Sequence, residues 1–166
     1  MIKLGSRTPL VKKLLFVEGF SRGGKLFLAN VINGFKDVEP IQYYGLLEHI
    51  PFLEKFGLIE RKTAKELIRC EIDTHCYEML IGRNFNYRQH DGSAIFKVPE
   101  YKNYLKRSTE KDTDKNLKQF YKNGAYSFFM THELMPNIKI YFETFPQLKV
   151  ISIKRNPIDI AYSWHK

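Results

Sequence analysis

Leu14-Leu15-Phe16-Val17-Glu18 runs directly into Gly19-Phe20-Ser21-Arg22-Gly23-Gly24-Lys25 and then Leu26-Phe27-Leu28. The first segment is apolar up to its terminal glutamate and reads as a buried strand. The glycine-rich segment reads as a turn whose backbone N–H groups face an anion, and the apolar run after Lys25 reads as the helix whose N-terminus completes that site. The spacing is that of a G-x-x-x-x-G-K phosphate-binding loop, with one departure. Leu26 stands where a Ser or Thr hydroxyl would ligate the Mg²⁺ of nucleoside triphosphate chemistry, and leucine has no oxygen to offer. Strand, loop and helix in this order imply an α/β fold and an anionic ligand, without an evident Mg-ATP site.

Beyond the loop, residues 25–35 carry Leu26, Phe27, Ala29, Val31 and Ile32 at helical positions, with Gly34 placed to stop the helix. A short strand is predicted at 38–43, where Pro40 suits only its start or a sheet edge. Thr63-Ala64-Lys65-Glu66 is a capping-box pattern, and Leu67, Ile68, Ile72, Cys76, Met79 and Leu80 then recur near helical spacing until Gly82. Residues 84–114 mix aromatics, Asp91-Gly92 and a charged run. They read as a long loop with short elements, the kind of segment that often carries substrate contacts. A helix at 115–122 ends at Asn123-Gly124; a buried strand follows at 125–130, a helix at 134–145 with Pro136 in its first turn, and a strand at 148–154. Asn156-Pro157-Ile158-Asp159 opens a last helix: Asn156 caps, Pro157 suits the first helical position, and Asp159 favours the positive end of the dipole.

Strands alternating with helices predict a central parallel sheet covered on both faces, a three-layer α/β sandwich. Ligands in such sheets bind at the carboxyl ends of the strands. Residues 22–25, Thr131-His132 and Arg155 all fall there, although they are far apart in sequence.

A chain of 166 residues with 43% hydrophobic composition is long enough for one domain over 1–166 and short for two. The net charge of +9 suits phosphorylated or polyanionic ligands. Zinc-finger spacing, a basic zipper and an aromatic RNA-binding signature are all missing, and the basic residues are scattered, which weighs against a nucleic-acid partner. Cys70 and Cys76 lack CxxC spacing and read as buried thiols in a reducing compartment. His49, His75, His90 and His165 have no metal-ligand spacing, so no metal is expected. Tyr43-Tyr44 and Phe128-Phe129 read as core. No window holds the ~18 apolar residues of a membrane span, and residues 1–13 lack the apolar core of a signal peptide. The expected location is the cytoplasm.

Arg155 directly follows a strand, and Ser163 lies eight positions later, about two turns along the next helix. A guanidinium and a hydroxyl so spaced suit one phosphate, the first as a charge-assisted fork and the second as a neutral donor. The segment Lys154-Arg155-Asn156-Pro157-Ile158-Asp159-Ile160-Ala161-Tyr162-Ser163 resembles the 3′-phosphate motif of sulfotransferases that use 3′-phosphoadenosine 5′-phosphosulfate (PAPS). Ser21-Arg22-Gly23-Gly24-Lys25 resembles that family's 5′-phosphosulfate loop. Thr131-His132 is similar to the Thr-His of a Lys-Thr-His-Leu-Pro segment in its cytosolic branch, where the histidine is the catalytic base. The resemblance runs from about residue 12 to 166. In this chain Gly23, Lys25 and Leu26 replace the family's Ser and Thr residues in the loop, Met130 replaces the Lys before Thr-His, and Glu133-Leu134 replaces Leu-Pro.

The resemblance implies a P-loop NTPase-like sulfotransferase fold and metal-free transfer of a sulfuryl group from PAPS to a hydroxyl or amine of a small-molecule or carbohydrate acceptor. It assigns catalysis to His132, Arg22 and Lys25, and cofactor binding to Arg22, Gly23, Gly24, Lys25, Leu26, Arg155 and Ser163. Glu133 is the reserve base. It also implies that the chain holds the cofactor half of the domain, because family members continue past the position of Lys166. Two other readings stand beside this one: a P-loop kinase-like protein drawing its Mg²⁺ ligand from elsewhere, and a non-catalytic module that binds 3′-phosphoadenosine 5′-phosphate (PAP). The acceptor is expected to meet residues from the variable stretch 41–122.

Overall fold

The computed structural model of the chain describes residues 9–165. Its strands are β1 (Lys13–Glu18), β2 (Gln42–Tyr43), β3 (Tyr126–Met130) and β4 (Lys149–Ser152), paired in the order β2-β3-β1-β4. All pairings are parallel, with Phe16 of β1 opposite Phe129 of β3 on one side and Val150 of β4 on the other. The helices are α1 (Lys25–Ile32), α2 (Leu46–Lys55), α3 (Arg61–Leu80), α4 (Tyr101–Lys106), α5 (Asp114–Asn123), α6 (Lys139–Thr144) and α7 (Pro157–Trp164). Short 3-10 turns occupy Ile95–Lys97 and Met135–Asn137.

The period of two in β1 splits the core between the two faces of the sheet. Leu14 and Phe16 join Phe129 with Leu47 and Ile50 of α2, Ile68 and Ile72 of α3, Phe120 of α5 and Tyr141 of α6. Leu15 and Val17 join Phe128 and Met130 with Ala29 and Ile32 of α1 and Ile41. The predicted α/β layering with a parallel sheet is therefore present.

Several elements differ from their sequence signals, each for a local reason. The first helix ends at Ile32 with Asn33 as its cap, before Gly34. Of the predicted strand 38–43 only Gln42–Tyr43 is paired, plus one bridge from Val38 to Tyr126; Pro40 stands between the two pairings and has no N–H for a ladder. The capping box does not form: α3 starts at Arg61, so Thr63 lies inside it and no side chain caps its first turn. The predicted helix 134–145 is a 3-10 turn followed by the six residues of α6. Cys70 is exposed rather than buried, whereas Cys76 is buried. Tyr43 is also exposed rather than core, whereas Phe128 and Phe129 are fully buried.

Helix α2 has no counterpart among the sequence predictions, and it holds Pro51 inside it, a residue disfavoured in a helix interior. A proline there has no N–H for the carbonyl four residues back, which is that of Leu47. The buried Tyr141 hydroxyl donates to that carbonyl instead, so the orphaned acceptor is satisfied from α6.

Candidate functional site

The loop after β1 is shaped by close backbone approach. A Cβ on Gly19 would sit 2.8 Å from the Ile153 carbonyl oxygen, which restricts the position to glycine. The Gly23 amide donates to the Phe20 carbonyl at 3.1 Å, and Arg22 (φ 64°) and Gly24 (φ 96°) on either side of Gly23 are left-handed. Turns of this kind point successive N–H groups into a concavity that suits an anion. Helix α1 then begins with no side-chain cap and no acidic residue in its first turn, so its first amides remain for a ligand.

Lys25 opens α1 and is buried, with its Nζ donating back to the Gly19 carbonyl across the loop. Burial lowers its pKa, against the opposing pull of Glu18, Glu48 and Glu133. Leu26 lines the smaller cleft, and its side chain also packs on Gly92, where an added Cβ would lie 2.9 Å from Leu26 Cδ1. The segment bearing Gly92 is held to α1 by a further bond from Asn30 Nδ2 to the Gly92 carbonyl at 3.3 Å.

Glu18 ends β1 buried, accepting from the Thr131 hydroxyl and from the Leu134 amide at 3.2 Å. It thereby ties the loop after β3 to the loop after β1 and holds His132 between them. The His132 amide donates to Glu48 Oε1 at 2.6 Å, and its Nδ1 lies 3.5 Å from the same oxygen. The Tyr43 ring meets the imidazole edge-on, with centroids 4.9 Å apart. Burial would raise the pKa of Glu48, but the imidazole set beside it, the hydrogen bond from the His132 amide and the charge of Lys25 outweigh that and leave it below the ordinary carboxylate value.

Two clefts meet at His132. The larger, about 860 Å³, has mostly apolar walls, including Phe20, Phe52, Met135, Ile153 and Ile160, with Arg155 at its rim. The smaller, about 460 Å³, is bounded by Arg22, Gly24, Lys25, Leu26, Ser163 and Trp164. Arg155 Nη1 donates to the Arg22 carbonyl at 2.9 Å, and the Arg22 guanidinium lies over the Trp164 ring at 5.7 Å. The start and end of the α7 segment are thus both fastened to the loop after β1. Asn156 caps α7 as predicted, accepting from the Ile158 amide at 2.9 Å.

The structure therefore brings Arg22, Gly23, Gly24, Lys25, His132, Arg155 and Ser163 to the carboxyl end of one sheet. Arg155 and Ser163 line different clefts, and of the two Arg155 is bonded to the loop. Glu18 and Glu48 escaped the sequence reading. Glu18 had a signal, a charge closing an apolar strand just before a glycine loop; Glu48 had none, because it sits on α2, which the sequence reading did not predict. The stretch 41–122 contributes Phe52 to the larger cleft, whose other walls come from the segments following β1, β3 and β4. Among the described residues there is no group of three or more His, Cys, Asp or Glu side chains placed to hold a metal, and no helix is long and apolar enough to cross a membrane. No family model matches the chain, and neither a curated protein nor a solved structure matches it.

Proposed function

We propose that the protein is a PAPS-dependent sulfotransferase with a P-loop NTPase-like sulfotransferase fold, in which the smaller cleft takes the cofactor and the larger, apolar cleft takes the acceptor. The observation that carries this reading is the meeting of three separate segments, Arg22–Lys25, His132 and Arg155 with Ser163, at the carboxyl edge of a parallel sheet. The loop fits a 5′-phosphate: its turn concentrates amides, α1 leaves its first N–H groups uncapped, and Lys25 already spans the loop. Arg22 and Ser163 line the smaller cleft, and Arg155, whose Nη1 bonds the Arg22 carbonyl, lines the adjoining larger one; a second phosphate, the group that distinguishes this cofactor from ATP, would sit where the two clefts adjoin.

When bound, PAPS supplies a sulfuryl group whose S–O bond to the 5′-phosphate breaks as the acceptor oxygen or nitrogen attacks. Arg22 and Lys25 neutralise charge gathering on the departing phosphate, assisted by the loop amides of Gly24 and Leu26, while the Gly23 amide holds the turn through the Phe20 carbonyl. His132, which lines both clefts, takes the acceptor's proton. The apolar walls around Phe20, Phe52 and Ile160 exclude water and favour an acceptor with an apolar body over a carbohydrate.

Calorimetric titration with PAP and with Mg-ATP tests this reading. PAP is expected to bind more tightly than Mg-ATP, and Arg155→Ala to weaken PAP by about 10- to 100-fold, the worth of one charge-assisted hydrogen bond. Preference for Mg-ATP would favour a kinase-like protein, and PAP binding indifferent to Arg155 would end the two-phosphate assignment. His132→Ala should abolish turnover while PAP affinity holds. A wild-type chain that binds PAP but transfers nothing would be a binding module.

A further inference from the structure

His132 has two ring nitrogens in different surroundings. Nδ1 is buried and makes no hydrogen bond within ordinary geometry, and the group set beside it is Glu48 Oε1 at 3.5 Å. The same oxygen holds the His132 amide at 2.6 Å, so ring and backbone are fixed against one carboxylate. Glu48 is itself buried in the first turn of α2, where the helix dipole favours its negative charge. A bare Nδ1 lone pair facing that carboxylate would set two electron-rich atoms against each other out of reach of water, whereas an Nδ1–H turns the contact into an attraction.

We propose that Glu48 is a positioning residue that holds neutral His132 as the Nδ1–H tautomer, leaving the Nε2 lone pair as the proton acceptor at the clefts. The chemical use of this tautomer rests on the sulfotransferase reading; the tautomer itself does not. In neutral imidazole one nitrogen donates and the other accepts, so fixing the proton on Nδ1 decides which atom serves as base. Lys25 and Glu133 add the nearby charges. Lys25 lies close enough to Glu48 to support its ionised form, and Glu133 follows His132 in the same loop. The ring of Tyr43 packs edge-on against the imidazole, with centroids 4.9 Å apart.

Long-range proton–nitrogen NMR correlations of the imidazoles, assigned with His132→Gln, test the proposal on the wild-type chain without any ligand. The expected spectrum at a pH where His132 is neutral shows Nδ1 with the shift of a protonated nitrogen and Nε2 with that of a bare one. Glu48→Gln, which keeps an acceptor for the His132 amide but offers either an oxygen or an NH₂ to the ring, should move a measurable share of His132 to the Nε2–H form. In turnover assays the same variant should lower kcat by about 10-fold or more, the lower range for a weakened general base, with little change in acceptor KM. A wild-type His132 in the Nε2–H form, or a tautomer unchanged in Glu48→Gln, would overturn the proposal. Failure of PAP to bind while the Nδ1–H tautomer is observed would instead end the sulfotransferase reading and leave the role of Glu48 standing.

Discussion

The two strands that flank β1 hold their functional residues in opposite ways. On one side β3 is buried along nearly its whole length and delivers Thr131 and His132 into a lattice made by Glu18 and Glu48. On the other, β4 is largely exposed, α7 has no buried residue, and Ile158 and Trp164 are 76% and 62% accessible. The β4–α7 side is fastened by its ladder to β1, by the Asn156 cap and by the Arg155 bond to Arg22. His132 and the loop after β1 are therefore preorganised by the core, whereas Arg155 and Ser163 rest on a side whose contacts are polar and exposed, which a ligand can rearrange. Local stability follows buried apolar contact, so the two sides should open independently.

The strongest way to break this contrast is to remove its centre. Phe16 is fully buried in β1, edge-on to Phe129 and Tyr141 at 6.3 and 5.2 Å. Phe16→Ala should cost about 3–5 kcal/mol, read from urea denaturation, and should loosen both sides together. A midpoint near that of the wild type would show that the β1 core does not carry the fold. Tyr141→Phe should cost about 1–3 kcal/mol by leaving the Leu47 carbonyl without its donor above Pro51. Its thermal unfolding should report that loss, and hydrogen exchange should place it in α2.

On the exposed side the expected effect is smaller and confined. Asn156→Ala should cost about 1 kcal/mol, and faster hydrogen exchange should appear in α7 with β1 and β3 unchanged. Exchange rising equally in β3 would show that the two sides are one cooperative unit. The mildest test is acid. Glu48 has a folded-state pKa below its unfolded one, so its contribution is fully present above the ordinary carboxylate value and is lost as pH falls through the folded value. Stability of the wild type should therefore fall more steeply below about pH 4 than that of Glu48→Gln, measured by urea midpoints across pH. Parallel curves would mean that the Glu48–His132 contact contributes nothing to folding.

Much of the fold was legible because its signals are local. The apolar run 14–17 reads as a strand feeding the loop, Gly124 at φ 58° ends α5 where the Asn-Gly signal placed it, and Asn156-Pro157 starts α7 as capping chemistry requires. These depend on residues within a few positions of one another, and the chain order of strands and helices then implied where the loop, His132 and Arg155 would gather. Only the tertiary structure could decide the rest. A proline sits inside α2 because a hydroxyl from residue 141 serves the carbonyl it orphans, and a threonine-led capping pattern is passed over because α3 begins at Arg61, before it. Glu18 and Glu48 become part of the site through bonds spanning more than eighty residues, which no spacing rule records. The sequence alone determined β1, the loop after it, α1, α5, β3, β4 and α7, and the end of the sheet at which their chemistry lies; long-range burial of polar groups, each needing a partner, decided α2 and how those residues are aimed.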